Sequence, residues 1–331
     1  MTPRERVLAA LRRQRLAPVP VGALTPSATR AQMDALGIYW PNAHLDAPQM
    51  AALAGAARTL LGFEIVRVPF DQTLEAELFG ADVSLGDESS VGSVRSHPFR
   101  LDQPLPPIPD FSSGRAGVVA EAIGILKRQT GDGAAVIGGL VGPFTLVCQL
   151  AGLSEAVMTA LRKPAAVRPW LDLAVEAGLA YARRLVAAGA DAICVEDMSA
   201  SLDLTSPGIY RSLILPAHQR LIAAIPAPVI LHVCGSNTRI LELLCETGAD
   251  ALSLESKTDL ASAVSLRACA IAGGVDPVQT LLNGTPEDVR RACIQDLAAG
   301  VHILAPGCGL APDTPTANLQ EMVRAAREYV A

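Results

Sequence analysis

Short apolar runs recur along this chain at intervals that leave room for a helix between most of them. Eight runs are rich in β-branched or other apolar residues, and each has the length of a buried strand. They are residues 19–24, 65–69, 135–140, 192–195, 229–233, 251–254, 268–271 and 301–304. Because polar residues do not alternate through them, the runs predict strands that are covered on both faces.

Helical patterns lie between most of these runs. Several begin at proline and end at Gly-Ala-Asp or Ala-Gly, which are common helix boundaries. The main examples are residues 164–188, 207–224, 238–247 and 286–299. At the N-terminus, Thr2, Pro3 and Glu5 form the pattern of a capping box, so we expect a helix there rather than a leader sequence. Alternating strands and helices predict a parallel sheet.

This alternation predicts a (β/α)₈ barrel of the TIM type, as a single domain over residues 1–331. The carboxyl ends of eight parallel strands would then line one mouth. An open, doubly wound sheet is the alternative, because periodicity does not report closure. Residues 71–131 break the alternation and contain a proline-rich turn, so we expect an insertion over the mouth. Its Glu75 and Glu77 either face the pocket or belong to an exposed amphipathic helix.

Composition limits the class of function. The formal net charge is −6, and no basic cluster is longer than that at 12–15, which argues against a nucleic-acid surface. The uncharged stretch 134–153 is long enough to span a bilayer, but glycine and proline interrupt it, so we interpret it as a buried strand, a loop and a helix. Seven cysteines without a leader favour a reducing compartment, and we expect a cytoplasmic protein without a membrane segment.

Three residues form a candidate metal site. His232 and Cys234 are two positions apart in a predicted strand, so both side chains project from one face. Cys308 follows another predicted strand and would supply a third ligand at the same mouth. Zinc accepts both donor types, and three protein ligands leave a position for water or substrate. By itself, His-x-Cys is more often a hydrogen-bonded histidine beside a buried cysteine.

Other polar residues are open to two interpretations. Asp197 is a candidate catalytic residue that orients the substrate, or a structural carboxylate paired with Arg67 or with backbone. Glu255 follows the sixth predicted strand, where it would accept helix-terminal N–H groups or pair with Lys257. His302 lies inside the last apolar run, and we interpret it as a hydrogen-bonded core histidine rather than a ligand.

Three segments carry a family resemblance: 232–235, 274–284 and, above all, Leu-Ala-Pro-Gly-Cys-Gly-Leu-Ala-Pro-Asp-Thr-Pro at 304–315. They resemble the methylcobamide:coenzyme M methyltransferases of the uroporphyrinogen decarboxylase superfamily, and the likeness extends over nearly the whole chain. It implies a uroporphyrinogen decarboxylase-like barrel. It also implies a zinc-dependent enzyme that moves a methyl group from a methylated corrinoid protein to a thiol such as coenzyme M.

The resemblance also implies roles for individual residues. His232, Cys234 and Cys308 match the family's zinc ligands, and Glu255 falls where related enzymes offer a carboxylate that the substrate thiol displaces from zinc. Binding to zinc would remove the thiol proton, and two thiolate ligands would keep the bound sulfur nucleophilic. The chain lacks the Asp-x-His-x-x-Gly pattern of cobalamin domains, so we expect methylcobamide to arrive on a transient partner protein.

Alternatives remain for the acceptor and for the reaction. Tetrahydrofolate is a possible acceptor, but only 4% of the residues are aromatic, which favours a small thiol. A coenzyme M sulfonate needs arginine or N–H donors, and the sequence leaves open whether Arg67, Arg95 or neither of them serves. A uroporphyrinogen decarboxylase would need arginine near the first strand, and residues 19–25 contain none. A non-catalytic zinc protein would have a closed site with four ligands.

Overall fold

The computed structural model describes residues 1–330. Its main sheet has seven parallel strands whose order in space follows their order in the chain. They are β1 (Ile65–Val68), β4 (Ala135–Val141), β5 (Ala192–Glu196), β6 (Val229–His232), β7 (Ala251–Leu254), β8 (Ala270–Val275) and β9 (Ile303–Pro306). Two short strands, β2 (Val83–Ser84) and β3 (Ser93–Val94), form a separate antiparallel hairpin.

Helices precede the sheet and occupy the connections between its strands. The α-helices are α1 (Pro3–Leu11), α2 (Arg30–Leu36), α3 (Ala47–Thr59), α4 (Leu74–Leu78), α5 (Gly114–Thr130), α6 (Pro143–Ala151), α7 (Leu153–Arg162), α8 (Pro164–Ala187), α9 (Pro207–Ile209), α10 (Leu215–Ala224), α11 (Leu241–Cys245), α12 (Leu260–Ser265), α13 (Pro286–Ala299) and α14 (Thr316–Glu328). Short 3₁₀ turns lie at Asn42–His44, Met198–Ala200 and Thr238–Ile240, and π-helical turns at Tyr210–Ile214 and Pro277–Leu282.

The segment around Val21 joins the two edges of the sheet. Val21 pairs in parallel with Leu304 of β9, and its carbonyl accepts the N–H of Glu64, just before β1, at 2.8 Å. The predicted barrel is therefore confirmed as a TIM-barrel-like α/β fold. The first predicted strand, 19–24, is reduced to an isolated bridge, since Pro20 has no N–H to extend the ladder.

Helix α1 covers the amino-terminal end of the barrel. Val7 and Leu11 belong to the same buried cluster as inward-facing side chains of the barrel strands, such as Ile137. Arg4 forms an ion pair with Asp191 (2.9 Å), which precedes β5. The predicted capping box at the start of this helix is present. One end of the barrel is thus filled, and the carboxyl ends of the strands form the other.

The segment over the mouth is shorter than the predicted 71–131. Residues 71–113 contain α4 and the β2–β3 hairpin, and hairpin residues 89–92 line a cavity beside the strand ends. Residues 114–130 form α5, which packs against α3 as the helix between β1 and β4. That part of the predicted insertion is corrected to a regular barrel helix.

Strand β8 is longer than predicted and is shifted along the chain. The apolar run ends at Ile271, but the strand continues through Gly273 and Gly274 to Val275. A Cβ at Gly273 would lie 2.1 Å from the carbonyl oxygen of Leu254 in β7. Glycine is required by this close approach of two strands, and the predicted strand had ended two residues earlier, at Ile271.

The uncharged stretch 134–153 forms β4, a turn and α6, as predicted. Within residues 1–330, no single helix is both long and apolar enough to cross a membrane. Helices α6 and α7 meet that criterion only when taken together, and they are bent by 114° relative to each other.

Candidate metal centre

The side chains of His232, Cys234 and Cys308 meet at the mouth of the barrel. His232 is the last residue of β6, Cys234 is two residues further, and Cys308 is two residues beyond β9. The Nε2 atom of His232 is 3.1 Å from Cys234 Sγ, and the two sulfur atoms are 3.5 Å apart. All three ligand atoms lie within 4.8 Å of one another. The structure therefore brings together the three residues that the sequence selected.

The turn after β6 holds Cys234 in this position. Gly235 has φ of +78°, and a Cβ there would lie 2.4 Å from Ser201 Oγ, so the turn requires glycine. The Asn237 amide donates to the carbonyls of Val233 (3.0 Å) and Cys234 (2.8 Å). These bonds replace the strand ladder that ends at His232 and fix the backbone that carries the thiol.

A hydrogen bond from the other ring nitrogen orients His232. Its Nδ1 lies 3.2 Å from both the carbonyl oxygen and the Oγ of Ser253. A carbonyl oxygen only accepts, so Nδ1 carries the proton and Nε2 keeps its lone pair toward the two sulfurs. A donated Nδ1–H is the usual support of a metal-binding imidazole.

The electrostatics of the group favour a bound cation. A hydrogen bond from Cys234 lowers the pKa of Cys308 to about 4, whereas the same hydrogen bond, together with burial, raises the pKa of Cys234. Burial lowers the pKa of His232, but the hydrogen bond and charge of Cys308 outweigh it and the pKa is raised. A thiolate, a second thiol and an imidazole match the donor preferences of Zn²⁺.

Glu255 lies near this group but not within it. The residue follows β7 and is half-buried, and the set of ligand atoms within 4.8 Å does not include its carboxylate. Its negative charge nevertheless contributes to the raised pKa of His232 and of Cys234. The carboxylate is thus close enough to act electrostatically on two of the three donors.

The side chain of Asp197 lies in a buried hydrogen-bond network that includes none of the three donor atoms, although its backbone N–H donates to the His232 carbonyl at 2.9 Å. Its Oδ1 accepts from the backbone N–H and the hydroxyl of Thr145, both at 2.7 Å. Its Oδ2 accepts from the N–H of Phe144 (3.0 Å) and lies 2.8 Å from His218 Nε2. The side chain therefore holds the start of α6 and the imidazole of His218. Of the two interpretations from the sequence, these contacts favour pairing with backbone.

A buried ion pair beside the donors was not predicted. The Arg67 guanidinium contacts the Glu196 carboxylate, and both side chains are at most 1% exposed. The amide of Gln72 donates to the other oxygen of Glu196. Burial raises the pKa of Glu196 against the opposing effect of Arg67. The sequence did contain a signal for this pair, because Arg67 lies inside one apolar run and Glu196 directly follows another. A charge buried in such a strand needs a buried partner of opposite charge.

Glu75 is also buried rather than exposed. It is 1% exposed in α4, and its Oε1 accepts the N–H of Val141 at the end of β4 (2.7 Å). Burial raises the pKa of Glu75 to about 7. Glu77 is half-buried and pairs with Arg115 at 2.8 Å. The interpretation of this segment as an exposed amphipathic helix is wrong for Glu75.

A cavity of about 720 Å³ opens beside Cys308. Its lining includes Thr25, Asp71 and Gln149, together with hairpin residues 89–94. The Thr25 hydroxyl, one Asp71 oxygen and the Gln149 carbonyl oxygen are buried and have no hydrogen-bond partner within residues 1–330. Neither Arg67 nor Arg95, which the sequence offered as sulfonate-binding residues, belongs to this lining. Three residues of the wall thus carry buried polar atoms without a hydrogen-bond partner, in the same cavity that Cys308 lines.

Comparison with known proteins identifies the family. The model of the uroporphyrinogen decarboxylase (URO-D) family matches residues 2–329. This chain belongs to the uroporphyrinogen decarboxylase family. Within the family it is 38% identical to the methylcobamide:CoM methyltransferase MtbA of Methanosarcina acetivorans, over 99% of this chain and 98% of the relative. It is 34% identical to MtaA of Methanosarcina barkeri, over 100% and 99% of the two chains.

A uroporphyrinogen decarboxylase of a Synechococcus species is 29% identical over only 64% of this chain. The solved structure of a methyltransferase from Methanosarcina mazei superimposes with a TM-score of 0.95 at 33% identity, over 99% of both chains. Within the uroporphyrinogen decarboxylase family, the chain is thus a member of the methylcobamide:CoM methyltransferases. It is an enzyme, and its activity is that of a methyltransferase.

Proposed function

We propose that this enzyme moves a methyl group from a methylated corrinoid, carried by a partner protein, to the sulfur of a small thiol, with Zn²⁺ held by His232, Cys234 and Cys308. One observation carries the proposal: three donor atoms within 4.8 Å of one another at the barrel mouth, beside a cavity that Cys308 lines. Three protein donors leave a fourth position for the substrate sulfur. The relatives that match over nearly their whole length are named for a methylcobamide donor and a thiol acceptor, coenzyme M.

The protein's own residues would prepare the site for this reaction. Bound zinc would supply Lewis acidity that favours the thiolate form of the acceptor. His232 offers Nε2 because Ser253 fixes the proton on Nδ1. Cys234 and Cys308 offer two sulfurs, one of which has its pKa lowered to about 4. Two anionic sulfurs donate electron density, which keeps the acceptor sulfur nucleophilic toward the methyl carbon.

Glu255 would serve as the ligand that the acceptor thiol displaces. Its charge already acts on His232 and Cys234, although its oxygens lie outside the compact group. Glu255→Gln should retain zinc, since three ligands remain, and should lower the zinc affinity by less than Cys308→Ala does. A Glu255→Gln protein with unchanged zinc affinity and unchanged rate would remove Glu255 from this role.

The cavity beside Cys308 is the proposed acceptor pocket. Its volume suits a small molecule, and its unpartnered groups on Thr25, Asp71 and Gln149 would receive or supply hydrogen bonds. The hairpin residues 89–92 form one wall, and we place the docking surface of the corrinoid protein around this mouth. Among the described residues, no arginine lines the cavity, so a sulfonate would rely on hydroxyl and N–H donors.

The test is to mix zinc-loaded enzyme with methylcobalamin and coenzyme M and to follow the loss of the methylcobalamin spectrum. We expect zinc-dependent demethylation that Cys308→Ala abolishes together with most of the bound zinc. Cys245→Ala is the matched control, since Cys245 is also half-buried but lies in α11 outside the group. Full activity of zinc-free Cys308→Ala would contradict the mechanism. Turnover with tetrahydrofolate but not with coenzyme M would show that the methyl acceptor is tetrahydrofolate rather than a thiol.

A further inference from the structure

A second cavity, of about 310 Å³, lies at the amino-terminal end of the barrel. Three arginines line it, Arg13, Arg15 and Arg267, together with His302 and Cys269. Cys269 and His302 immediately precede β8 and β9, so this basic cavity is at the opposite end of the barrel from the candidate metal centre. In a chain with a formal net charge of −6, three guanidinium groups around one small cavity are a strong local excess of positive charge.

These three arginines have no carboxylate partners within the described part of the chain. The ion pairs among residues 1–330 include Arg4 and Arg6 of α1, but not Arg13, Arg15 or Arg267. Unpaired guanidinium groups that face one cavity retain their capacity to bind an anion in a bidentate manner.

His302 adds a buried donor to the basic cavity. It is 8% exposed, and its Nδ1 accepts the N–H of Ile271 at 3.1 Å. Because Nδ1 accepts, the proton of the neutral ring is on Nε2, which has no hydrogen-bond partner among the described residues. Burial lowers the pKa of His302, and the charges of Arg15 and Arg13 lower it further, which keeps the ring neutral.

The backbone at two of the arginines is unusual. Arg13 has φ of +66° and Arg267 has φ of +52°, and within residues 1–330 they are the non-glycine residues with positive φ. Each follows the end of a helix, α1 and α12 respectively, at a position where glycine is common because it adopts this conformation without strain. Strained non-glycine residues cluster at binding sites. Both of these residues line the same cavity.

We propose that the basic cavity binds a phosphoryl anion, either inorganic phosphate or the phosphate group of a small metabolite. The arginines would supply paired N–H donors and positive charge, and His302 Nε2–H would supply a buried neutral donor. The volume matches the lower end of small-molecule sites. Three cations around one pocket match a dianion better than a single carboxylate. This site is independent of the proposed methyl transfer, so either proposal is able to fail without the other.

The test uses inorganic phosphate as the probe in isothermal titration calorimetry at constant ionic strength, on the full-length protein. We expect one saturable site, with affinity at least tenfold weaker in the double variant Arg13→Gly, Arg267→Gly. Glycine relieves the positive φ at both positions, so this variant should fold with a Tm, measured without phosphate, no lower than that of the original protein.

The matched control is Arg168→Gln, Arg183→Gln, which removes the same charge from exposed positions on α8. It should bind phosphate as the original protein does. Absence of saturable binding to the original protein would overturn the proposal. So would unchanged affinity in the Arg13→Gly, Arg267→Gly protein, which would place the anion elsewhere, for example at the metal centre. An equal loss in the control would also overturn it, because the binding would then follow net charge alone.

Discussion

Glu196 and His232 are register partners at the carboxyl ends of β5 and β6, so a fully buried carboxylate lies beside a candidate metal ligand. Its charge contributes to the raised pKa of His232, and the guanidinium of Arg67 contacts the same carboxylate and compensates its charge. The electrostatics of the centre therefore depend on a pair of residues that do not belong to it.

Removal of Arg67 tests this dependence. Arg67→Met should lower the free energy of unfolding by about 3–5 kcal/mol, because it leaves the buried charge of Glu196 without its partner. The double variant Arg67→Met, Glu196→Gln should recover a large part of that loss. Urea unfolding of both proteins gives the comparison. Equal losses in the single and double variants would show that the uncompensated charge is not the cause.

Substitutions of two buried histidines should have different effects, one on zinc binding and the other on thermal stability. His232→Gln should lose most of the bound zinc, because it removes the oriented Nε2 donor. His218→Gln should retain zinc but lower the Tm, since His218 only joins Asp197 (2.8 Å) to the hydroxyl of Tyr210 (3.0 Å). Zinc content after dialysis and thermal unfolding measure the two effects. Zinc retained by His232→Gln would exclude the histidine as a ligand.

Asp197→Asn tests the catalytic role that the sequence suggested for this residue. Its carboxylate accepts hydrogen bonds from Thr145, Phe144 and His218, so the variant should be destabilised by about 3 kcal/mol, the scale of hydrogen bonds to a charged group. The methyl-transfer rate, measured well below the lowered Tm, should remain within a few-fold of the original. A folded Asp197→Asn protein with a hundredfold lower rate would restore the catalytic role.

Glu75 should make stability depend on pH. Burial raises its pKa from 4.5 to about 7, so the folded state keeps a proton that the unfolded state releases near 4.5. The contribution to stability is complete below pH 4.5 and is lost as the pH rises through about 7. Between pH 5 and 8, the free energy of unfolding should fall by about 2.5 kcal/mol relative to Glu75→Gln, which does not titrate.

Parallel urea titrations of the original protein and of Glu75→Gln at each pH isolate this effect from other groups. The amide oxygen that the Glu75→Gln substitution introduces is able to accept the same N–H of Val141, so the variant keeps the hydrogen bond. A difference between the two proteins that does not change with pH would show that Glu75 ionises normally.

The grouping of the three candidate metal ligands was predictable because it follows from their positions in and after predicted strands. His232 and Cys234 share a face by the period of a strand, and Cys308 follows a predicted strand whose carboxyl end must lie at the same mouth. The partners of Asp197 and Glu75 were not predictable in the same way. Asp197 accepts a backbone N–H at the start of α6, and Glu75 accepts one at the end of β4. No sequence pattern shows which distant backbone N–H groups lack a backbone acceptor.

The barrel was predictable from alternation, whereas its closure was not. Val21 joins β9 through an isolated bridge in a proline-containing segment, where a strand pattern is weak. Likewise, the apolar run at 268–271 gave no sign that β8 extends through Gly273, because that glycine is set by the carbonyl of Leu254 in the neighbouring strand. Local hydrophobic patterns therefore predict which helices and strands form, whereas contacts between these elements determine where each one ends.

Helix α1 has a kinetic consequence for the proposed reaction. Since Val7 and Leu11 fill the far end of the barrel, both substrates would have to approach the metal centre from the side of the hairpin. A corrinoid protein docked there would cover the acceptor cavity. The thiol would then have to enter first and the methylated product leave last, an ordered sequence in which excess corrinoid protein slows turnover by trapping enzyme that holds no thiol.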